Sequence, residues 1–160
     1  MHENEKIIQK FYTGFKNSDS NAMIDCYHSE IEFTDPVFPY LKGKSAKAMW
    51  AFLGQRRADP NDRTFDHIQA DAHQGTAHWE AKYILPQTGR QVHNKIDAEF
   101  EFRDGKIIKH TDRFSFWRWS IMGFGPLGFI LGWTPFFKAK VRKRLRIMLD
   151  EFITTHPEFK

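Results

Sequence analysis

Cysteine is almost absent from this chain, in which Cys26 is the only one among 160 residues. A single thiol cannot form an intrachain disulfide, and it excludes a metal site built from several cysteines. The eight histidines show no HExxH pair or other metal-binding spacing, so we expect neither a metal nor another cofactor. The first residues lack the apolar core of a secretory signal, and we expect a cytoplasmic protein.

Excess positive charge is missing from most of the chain and is confined to its C-terminus. Residues 138–160 carry seven Lys or Arg and three acids, whereas residues 1–137 carry seventeen residues of each sign. The net charge of +4 therefore belongs to the tail alone. Because the remainder has no basic footprint, we expect no nucleic acid among the partners.

Aromatic side chains are abundant, with sixteen Phe and five Trp. Bulky rings fill a protein core, and they also line cavities that bind apolar ligands. A chain of this length suffices for one domain with a sizeable core. The composition therefore predicts a globular domain, with a small hydrophobic molecule as its candidate ligand.

Helical patterns come first along the chain, and strand patterns follow. The helical patterns cover residues 3–16, 22–27 and 45–57. The alternating patterns cover residues 31–36, 77–85, 92–102 and 108–116. Residues 64–73 show no regular alternation, so inward and outward positions cannot be assigned there. Helices followed by a run of strands favour an α+β fold over a parallel α/β fold.

Alternation in the last predicted strand turns two ionisable side chains inward. Its apolar face carries Ile108, His110, Asp112, Phe114 and Phe116. Buried polar groups need partners or a function, because burial without hydrogen bonds costs free energy. His110 and Asp112 are therefore either a structural pair or an acid/base pair. The same alternation in the preceding strand predicts that Asp97 is exposed.

Asp35 precedes Pro36 at the end of a short predicted strand. One interpretation is an aspartate that stabilises a turn. The other is a carboxylate at the mouth of a pocket, desolvated enough to act as a base. The sequence leaves both interpretations open.

Three stretches of the chain resemble the nuclear transport factor 2-like superfamily, which includes ketosteroid isomerases and SnoaL-like polyketide cyclases. They are IIQKFYTGFKNSD at 7–19, FTDPV at 33–37 and FEFRDGKIIKHTD at 100–112. The resemblance implies a cone-shaped, mostly antiparallel sheet wrapped around N-terminal helices in residues 1–116. It also implies a homodimer, since sheets of this family often pair. Residues 117–160 depart from the family's ending and form a C-terminal helical extension.

The resemblance also implies chemistry at particular positions. Asp35 matches the general base of the ketosteroid isomerases, but their oxyanion-hole tyrosine and second aspartate match Phe11 and Ala98. Steroid isomerisation is therefore not expected, because two hydrogen-bond donors are missing. His110 and Asp112 resemble the His-x-Asp of SnoaL-like members, in which a carboxylate serves as acid/base. The predicted catalytic residues are Asp112, His110 and Asp35, and the predicted substrate-binding residues are Phe11, Phe15, Trp50, Trp79, Tyr83, Asn94, Ala98 and Phe114.

Three functions remain open for this sequence. The first is a cofactor-free isomerase, cyclase or hydrolase, and the second is a binding module that holds an apolar ligand without catalysis. The third is a protein that acts at a membrane surface through residues 121–146. Residues 121–137 contain no charge, and a basic amphipathic helix follows them. Three interpretations of this extension are open: packing on the cone or on a partner subunit, contact with a membrane surface and, as the least favoured, contact with nucleic acid.

Overall fold

The computed structural model describes all 160 residues. Six α-helices are present: α1 Glu3–Lys16, α2 Ser20–Asp25, α3 Lys44–Leu53, α4 Phe116–Phe124, α5 Pro126–Leu131 and α6 Pro135–Thr155. Short 3-10 helices occupy Pro60–Asp62 and Pro157–Phe159. None of the helices combines the length and the apolar character that crossing a bilayer requires.

Six strands form one curved, open sheet. They are β1 Tyr27–Thr34, β2 Leu41–Lys42, β3 Arg63–Ala70, β4 Gln74–Ile84, β5 Gln91–Arg103 and β6 Lys106–Arg113. Their order is β2-β1-β6-β5-β4-β3, and every neighbouring pair is antiparallel except β1 and β6. The predicted α+β class with a mostly antiparallel sheet is confirmed.

The long strands β4 and β5 bury alternate residues, as their sequence predicts. On β5 the inward residues are Val92, Asn94, Ile96, Ala98, Phe100 and Phe102, all of them buried. The β5–β6 hairpin closes at Asp104 and Gly105, whose φ angles of 53° and 70° suit a tight turn between twisted strands. This alternation gives the sheet an apolar inner face, against which α1 and α3 pack.

The predicted phase of β6 was wrong at its beginning. Phe102 pairs with Ile107 while Glu101 pairs with Lys109, so the strand contains an extra residue at Ile108. Ile107 is therefore fully buried and Ile108 only partly so, whereas His110 and Asp112 keep the predicted inward direction. The strand also ends before Phe116, where Ser115 caps α4 by accepting a hydrogen bond from the Arg118 amide.

Two predicted helix boundaries also shifted, and the stretch without an assigned face is a strand. The second helix ends at Asp25, so Tyr27 begins β1 instead of completing a helix. The third helix ends at Leu53, before Gly54, and does not reach Arg57. Residues 63–70 form β3, in which His67 has a φ of 50° and the pairing with β4 shifts register. That irregularity explains why no continuous alternation could be read there.

The C-terminal extension folds into three consecutive helices. Gly125 separates α4 from α5, and Thr134 caps α6 with Pro135 at its first turn. The extension packs on the body at several places, since Leu149 and Phe152 of α6 are buried and α6 contacts α3. The α4 helix contacts β5, and a Cβ added at Gly123 would lie 3.0 Å from Leu85.

Candidate functional site

A chain of hydrogen bonds crosses the interior of the cone from Trp50 to Trp79. Trp50 Nε1 donates to the Tyr27 hydroxyl over 2.7 Å, and that hydroxyl lies 2.7 Å from His110 Nδ1. His110 Nε2 lies 2.9 Å from Asp112 Oδ1, which also accepts a bond from Trp79 Nε1 over 3.2 Å. Four elements contribute to this network: α3, β1, β4 and β6.

The directions of these bonds follow from counting donors. An indole nitrogen can only donate, so the Tyr27 oxygen accepts from Trp50 and its own proton goes to His110 Nδ1. His110 then carries its proton on Nε2 and donates it to Asp112. In this arrangement the Trp50 indole, the Tyr27 hydroxyl and His110 Nε2 each have an acceptor, the imidazole is neutral and the carboxylate is ionised. The reverse tautomer would leave the Tyr27 hydroxyl proton without an acceptor.

Aromatic rings enclose His110 on all sides. Its centroid lies 4.5 Å from that of Phe100, 5.1 Å from Phe33, 5.4 Å from Phe11 and 5.9 Å from a stacked Trp50. The residue has no exposed surface, and both ring nitrogens are bonded. His110 therefore orients the Asp112 carboxylate and has no free atom for a ligand.

Some polar atoms in the cone have no partner in the protein. The Tyr12 hydroxyl is fully buried and makes no hydrogen bond. Asp112 Oδ2 and the Asn94 amide also lack partners, but neither belongs to the fully buried unpaired atoms, so each keeps a little accessible surface. Unmet hydrogen bonds in a core cost free energy, so pairing of these atoms would be stabilising.

Asp35 is a half-buried carboxylate held by the backbone that follows it. Its Oδ1 accepts bonds from the amides of Val37 at 2.7 Å and Phe38 at 2.5 Å. Burial nevertheless raises the pKa of Asp35 to about 7, and the negative charge of Asp112 adds to the increase. The two backbone bonds and the charge of Arg142 act in the opposite direction. Such a carboxyl group changes protonation state near neutral pH.

The C-terminal extension supplies neighbours to Asp35. Arg142 of α6 donates from Nε to the carbonyl oxygen of Pro36 over 2.9 Å. Trp119 of α4 donates to the Tyr83 hydroxyl over 2.8 Å. Burial raises the pKa of Tyr83 to about 12, with a contribution from Asp35. Asp35 therefore lies where the extension covers the sheet.

The predicted site residues fall into three groups. His110 and Asp112 lie in the interior, and Asp35 lies within electrostatic range of Asp112. Six of the predicted substrate-binding residues are buried inside the cone: Phe11, Phe15, Trp50, Trp79, Asn94 and Ala98. Tyr83 is 39% exposed and Phe114 is partly buried, so these two lie nearer the surface. Asp97 is outside, where it bonds to His78 Nδ1 over 2.8 Å.

Tyr27, Tyr12 and Arg142 were not among the predicted site residues. The sequence pattern places Tyr27 in a helix, and alternation from Ile31 and Phe33 does not locate its face, because Ser29 is exposed and the β1–β6 register shifts between Tyr27 and Glu32. Tyr12 lies one residue beyond the position that matches the isomerases' tyrosine, and nothing local marks its hydroxyl as unpaired. Arg142 reaches Pro36 from 106 residues away, a contact that no local pattern encodes.

A separate depression of about 680 Å³ is lined by residues of α1 and of strands β3 to β6. Its lining is mostly polar and includes Glu5, Gln74, Glu99, Thr111 and Arg113. It contains neither Asp35 nor the His110–Asp112 pair. This depression is therefore separate from the buried network and from Asp35.

The chain belongs to the SnoaL-like domain family, whose model matches residues 8–110. No protein of curated function matches the sequence significantly. Solved structures with a similar fold include a protein assigned as a polyketide cyclase from Xanthomonas campestris pv. campestris, with 19% identity and a TM-score of 0.59. That match covers 75% of this chain and 96% of the other.

Two further structures extend the comparison. An LEH-like epoxide hydrolase from M. tuberculosis shares 16% identity with a TM-score of 0.58, covering 73% of this chain and 86% of that one. A protein assigned as an isomerase from Bacillus subtilis shares 18% identity with a TM-score of 0.57, covering 78% and 96%. At these identities the likeness establishes the nuclear transport factor 2-like fold.

Proposed function

We propose that this protein is a cofactor-free acid/base enzyme that acts on a small hydrophobic molecule held inside the cone. The observation that supports this proposal most directly is a pair of carboxylates within electrostatic range of each other. One of them, Asp35, has a pKa raised to about 7. A base works best when its pKa lies near the working pH, since it is then both available and strong enough.

In this proposal Asp35 removes a proton from the substrate or from a water molecule beside it. Oδ1 of Asp35 is bonded to two amides, which fixes the carboxylate and leaves Oδ2 to act. Asp112 is the second carboxylate, and its Oδ2 faces the ligand. His110 acts through Asp112 by holding Oδ1 in place. The aromatic residues predicted to bind substrate provide the apolar surroundings.

Charge that develops on the substrate needs hydrogen-bond donors. Phe11 and Ala98 provide none from their side chains, but the Tyr12 hydroxyl is unpaired and the buried Asn94 offers an amide. We propose that these two groups donate hydrogen bonds to the developing charge, since a single donor of this kind can raise the rate about a hundredfold or more. The reaction types named for similar folds, a cyclase, an epoxide hydrolase and an isomerase, are all compatible with this use of carboxylates.

Proton exchange into a simple ketone tests the proposal without knowledge of the natural substrate. The probe is α-tetralone in deuterium oxide, with exchange of its α-protons followed by NMR. Wild-type protein should accelerate exchange above the buffer rate, with a rate that rises through about pH 7. Asp35→Asn should lose most of this acceleration, and Asp97→Asn, the exposed control, should retain it.

The alternative function is a binding module without catalysis, and the lack of donors at Phe11 and Ala98 favours it. Titration of the same ketone followed by tryptophan fluorescence distinguishes the two, because Trp50 and Trp79 lie in the interior. Saturable binding without exchange would support the module. Styrene oxide provides a second probe, whose hydrolysis would identify a hydrolase. If the protein neither bound nor turned over either probe, both proposed functions would be contradicted.

A further inference from the structure

The C-terminal extension exposes an unusual number of large apolar side chains. Trp133 and Phe136 are 71% and 74% exposed, and they lie where α5 leads into α6. The other large exposed apolar residues of α4 and α5 are Trp117, Leu127, Phe129 and Ile130. Exposed apolar patches of this kind are uncommon on soluble proteins and mark interaction sites. We refer to these six residues as the apolar wedge.

The wedge sits on a tightly packed helical hairpin. A Cβ added at Gly128 would lie 1.9 Å from the Ser120 carbonyl oxygen, so α5 approaches α4 as closely as a backbone allows. The ring centroids of Trp117 and Phe129 lie 5.7 Å apart, and the Trp117 indole donates to the Phe129 carbonyl over 3.1 Å. The inward side of α5 is therefore occupied by packing. Its outward side is free for another surface.

Positive charge lies directly beside the wedge. No Asp or Glu occurs between Asp112 and Asp150. Three exposed basic residues of α6, Lys140, Lys143 and Arg144, have no hydrogen bond or ion pair in the protein. The Lys140 ammonium lies 5.7 Å from the centre of the Phe136 ring, so charge and apolar surface are contiguous.

We propose that the wedge and the basic residues of α6 dock this protein peripherally on an anionic lipid bilayer. Trp and Phe side chains partition into the interface between headgroups and acyl chains. Lys and Arg beside them attract the phosphates of acidic lipids. This inference goes beyond the proposed reaction and does not depend on it.

Charge favours a bilayer over a second copy of the chain as the occupant. A symmetric dimer would bring the same patch of both subunits together. Lys140, Lys143 and Arg144 would then face their own copies or lie close to them, and like charges across an interface are unfavourable. An acidic membrane complements both parts of the surface, since it offers phosphates to the basic residues and acyl chains to the wedge.

Co-sedimentation of the full-length protein with vesicles tests the docking. The probes are vesicles of phosphatidylcholine alone and of phosphatidylcholine mixed equally with phosphatidylglycerol. The combined Lys140→Gln, Lys143→Gln and Arg144→Gln variant should bind the acidic vesicles roughly a hundredfold more weakly. Its matched control is Lys10→Gln, Lys42→Gln and Lys82→Gln, which removes three exposed charges elsewhere and should bind nearly as wild type does. Added salt should release wild-type protein.

The apolar part is tested by Trp133→Ser with Phe136→Ser, and Leu53→Ser serves as its exposed apolar control. The double variant should lose most vesicle binding and keep its unfolding midpoint, because both side chains are exposed. Failure of wild type to bind acidic vesicles at low salt would overturn the proposal. So would equal binding by all variants. A concentration-dependent dimer that the double variant abolishes, without vesicle binding, would assign the surface to a second copy.

Discussion

His110 Nε2 and Asp112 Oδ1 lie 2.9 Å apart in a part of the core where His110 is 0% and Asp112 only 3% exposed. The two residues are neighbours on one face of β6 because strand side chains alternate. A buried carboxylate is tolerated only where hydrogen bonds replace water, and here His110 and Trp79 both donate to the same oxygen. The stability of the core and the orientation of Asp112 therefore depend on the same imidazole.

Replacing His110 by Phe should destabilise the protein by about 2–4 kcal/mol. The change removes a donor from buried Asp112 and the acceptor of the Tyr27 hydroxyl, which leaves two polar groups unsatisfied. Urea unfolding measures the effect. His78→Phe is the matched control, because His78 bonds to exposed Asp97 over 2.8 Å. That change should cost less than about 1 kcal/mol, and equal costs for both variants would contradict the role of burial.

Removing the hydroxyl should lower stability at one buried tyrosine and not at the other. Tyr27→Phe leaves the Trp50 indole and the His110 ring without their partner and should cost about 1–3 kcal/mol. Tyr12→Phe removes a hydroxyl that has no partner, so it should be neutral or stabilising. Thermal or urea unfolding of both variants gives the comparison. A larger loss for Tyr12→Phe would mean that its hydroxyl has a partner in solution.

The inward direction of His110 and Asp112 could be predicted because the alternation is unbroken over those positions. It could not be predicted for Ile108, since an irregularity in the β5–β6 pairing displaces that residue and nothing in IIKHTD marks it. In β3 the positive φ of His67 breaks the pattern in the same way. Local periodicity therefore predicts faces only as far as the pairing stays regular.

The contacts that define the candidate site are mostly long-range. The bond between Tyr27 and His110 joins residues 83 positions apart, and the one between Trp79 and Asp112 spans 33. A polar residue on an apolar face predicts that a partner exists, but it does not say which element supplies it. The apolar character of residues 121–137 likewise predicted burial against something. It could not tell the packed face of the hairpin from the exposed wedge.

Stability should depend on pH through Asp35 in a characteristic direction. Its pKa is about 7 in the folded protein and about 4 in an unfolded chain, so the folded state binds the proton more tightly. The free energy of unfolding therefore falls as pH rises from about 4 to about 7, by at most about 4 kcal/mol. Asp35→Asn lacks this loss and should gain stability relative to wild type over that range. Urea unfolding at several pH values measures the difference.

Asp71 provides a matched control with the opposite sign. Its Oδ1 also accepts two backbone amides, from His73 and Gln74, but the residue is exposed. Those bonds lower the pKa of Asp71, so ionisation stabilises the fold and the benefit appears as pH rises. Asp71→Asn should therefore lose stability relative to wild type with rising pH. If the stability of the two variants changed with pH in the same direction relative to wild type, burial would not be what sets the pKa of Asp35.

Arg142 should tune the ionisation of Asp35. Its positive charge lowers the pKa of Asp35, so Arg142→Met should raise that pKa further above its ordinary value. NMR titration of the Asp35 side-chain carboxyl carbon follows the change. Lys143→Met, which removes an adjacent exposed charge, is the control and should have a smaller effect. No shift with Arg142→Met would mean that α6 does not hold this residue beside the Asp35 loop in solution.

Gly128 should be the least replaceable residue of the extension. Any side chain there must displace the α4 backbone, because the added Cβ would lie 1.9 Å from the Ser120 oxygen and 2.9 Å from the Ile121 nitrogen. Gly128→Ala should therefore force α4 and α5 apart and cost about 1–3 kcal/mol or more, as overpacking does. Leu127→Ala is the control, since Leu127 is its exposed neighbour and should change stability by less than about 0.5 kcal/mol. Urea unfolding and the fluorescence of Trp117 and Trp119 in α4 report the separation. If Gly128→Ala were as stable as wild type with unchanged fluorescence, the close approach of the two helices would not exist, and the rigid support of the apolar wedge would be lost with it.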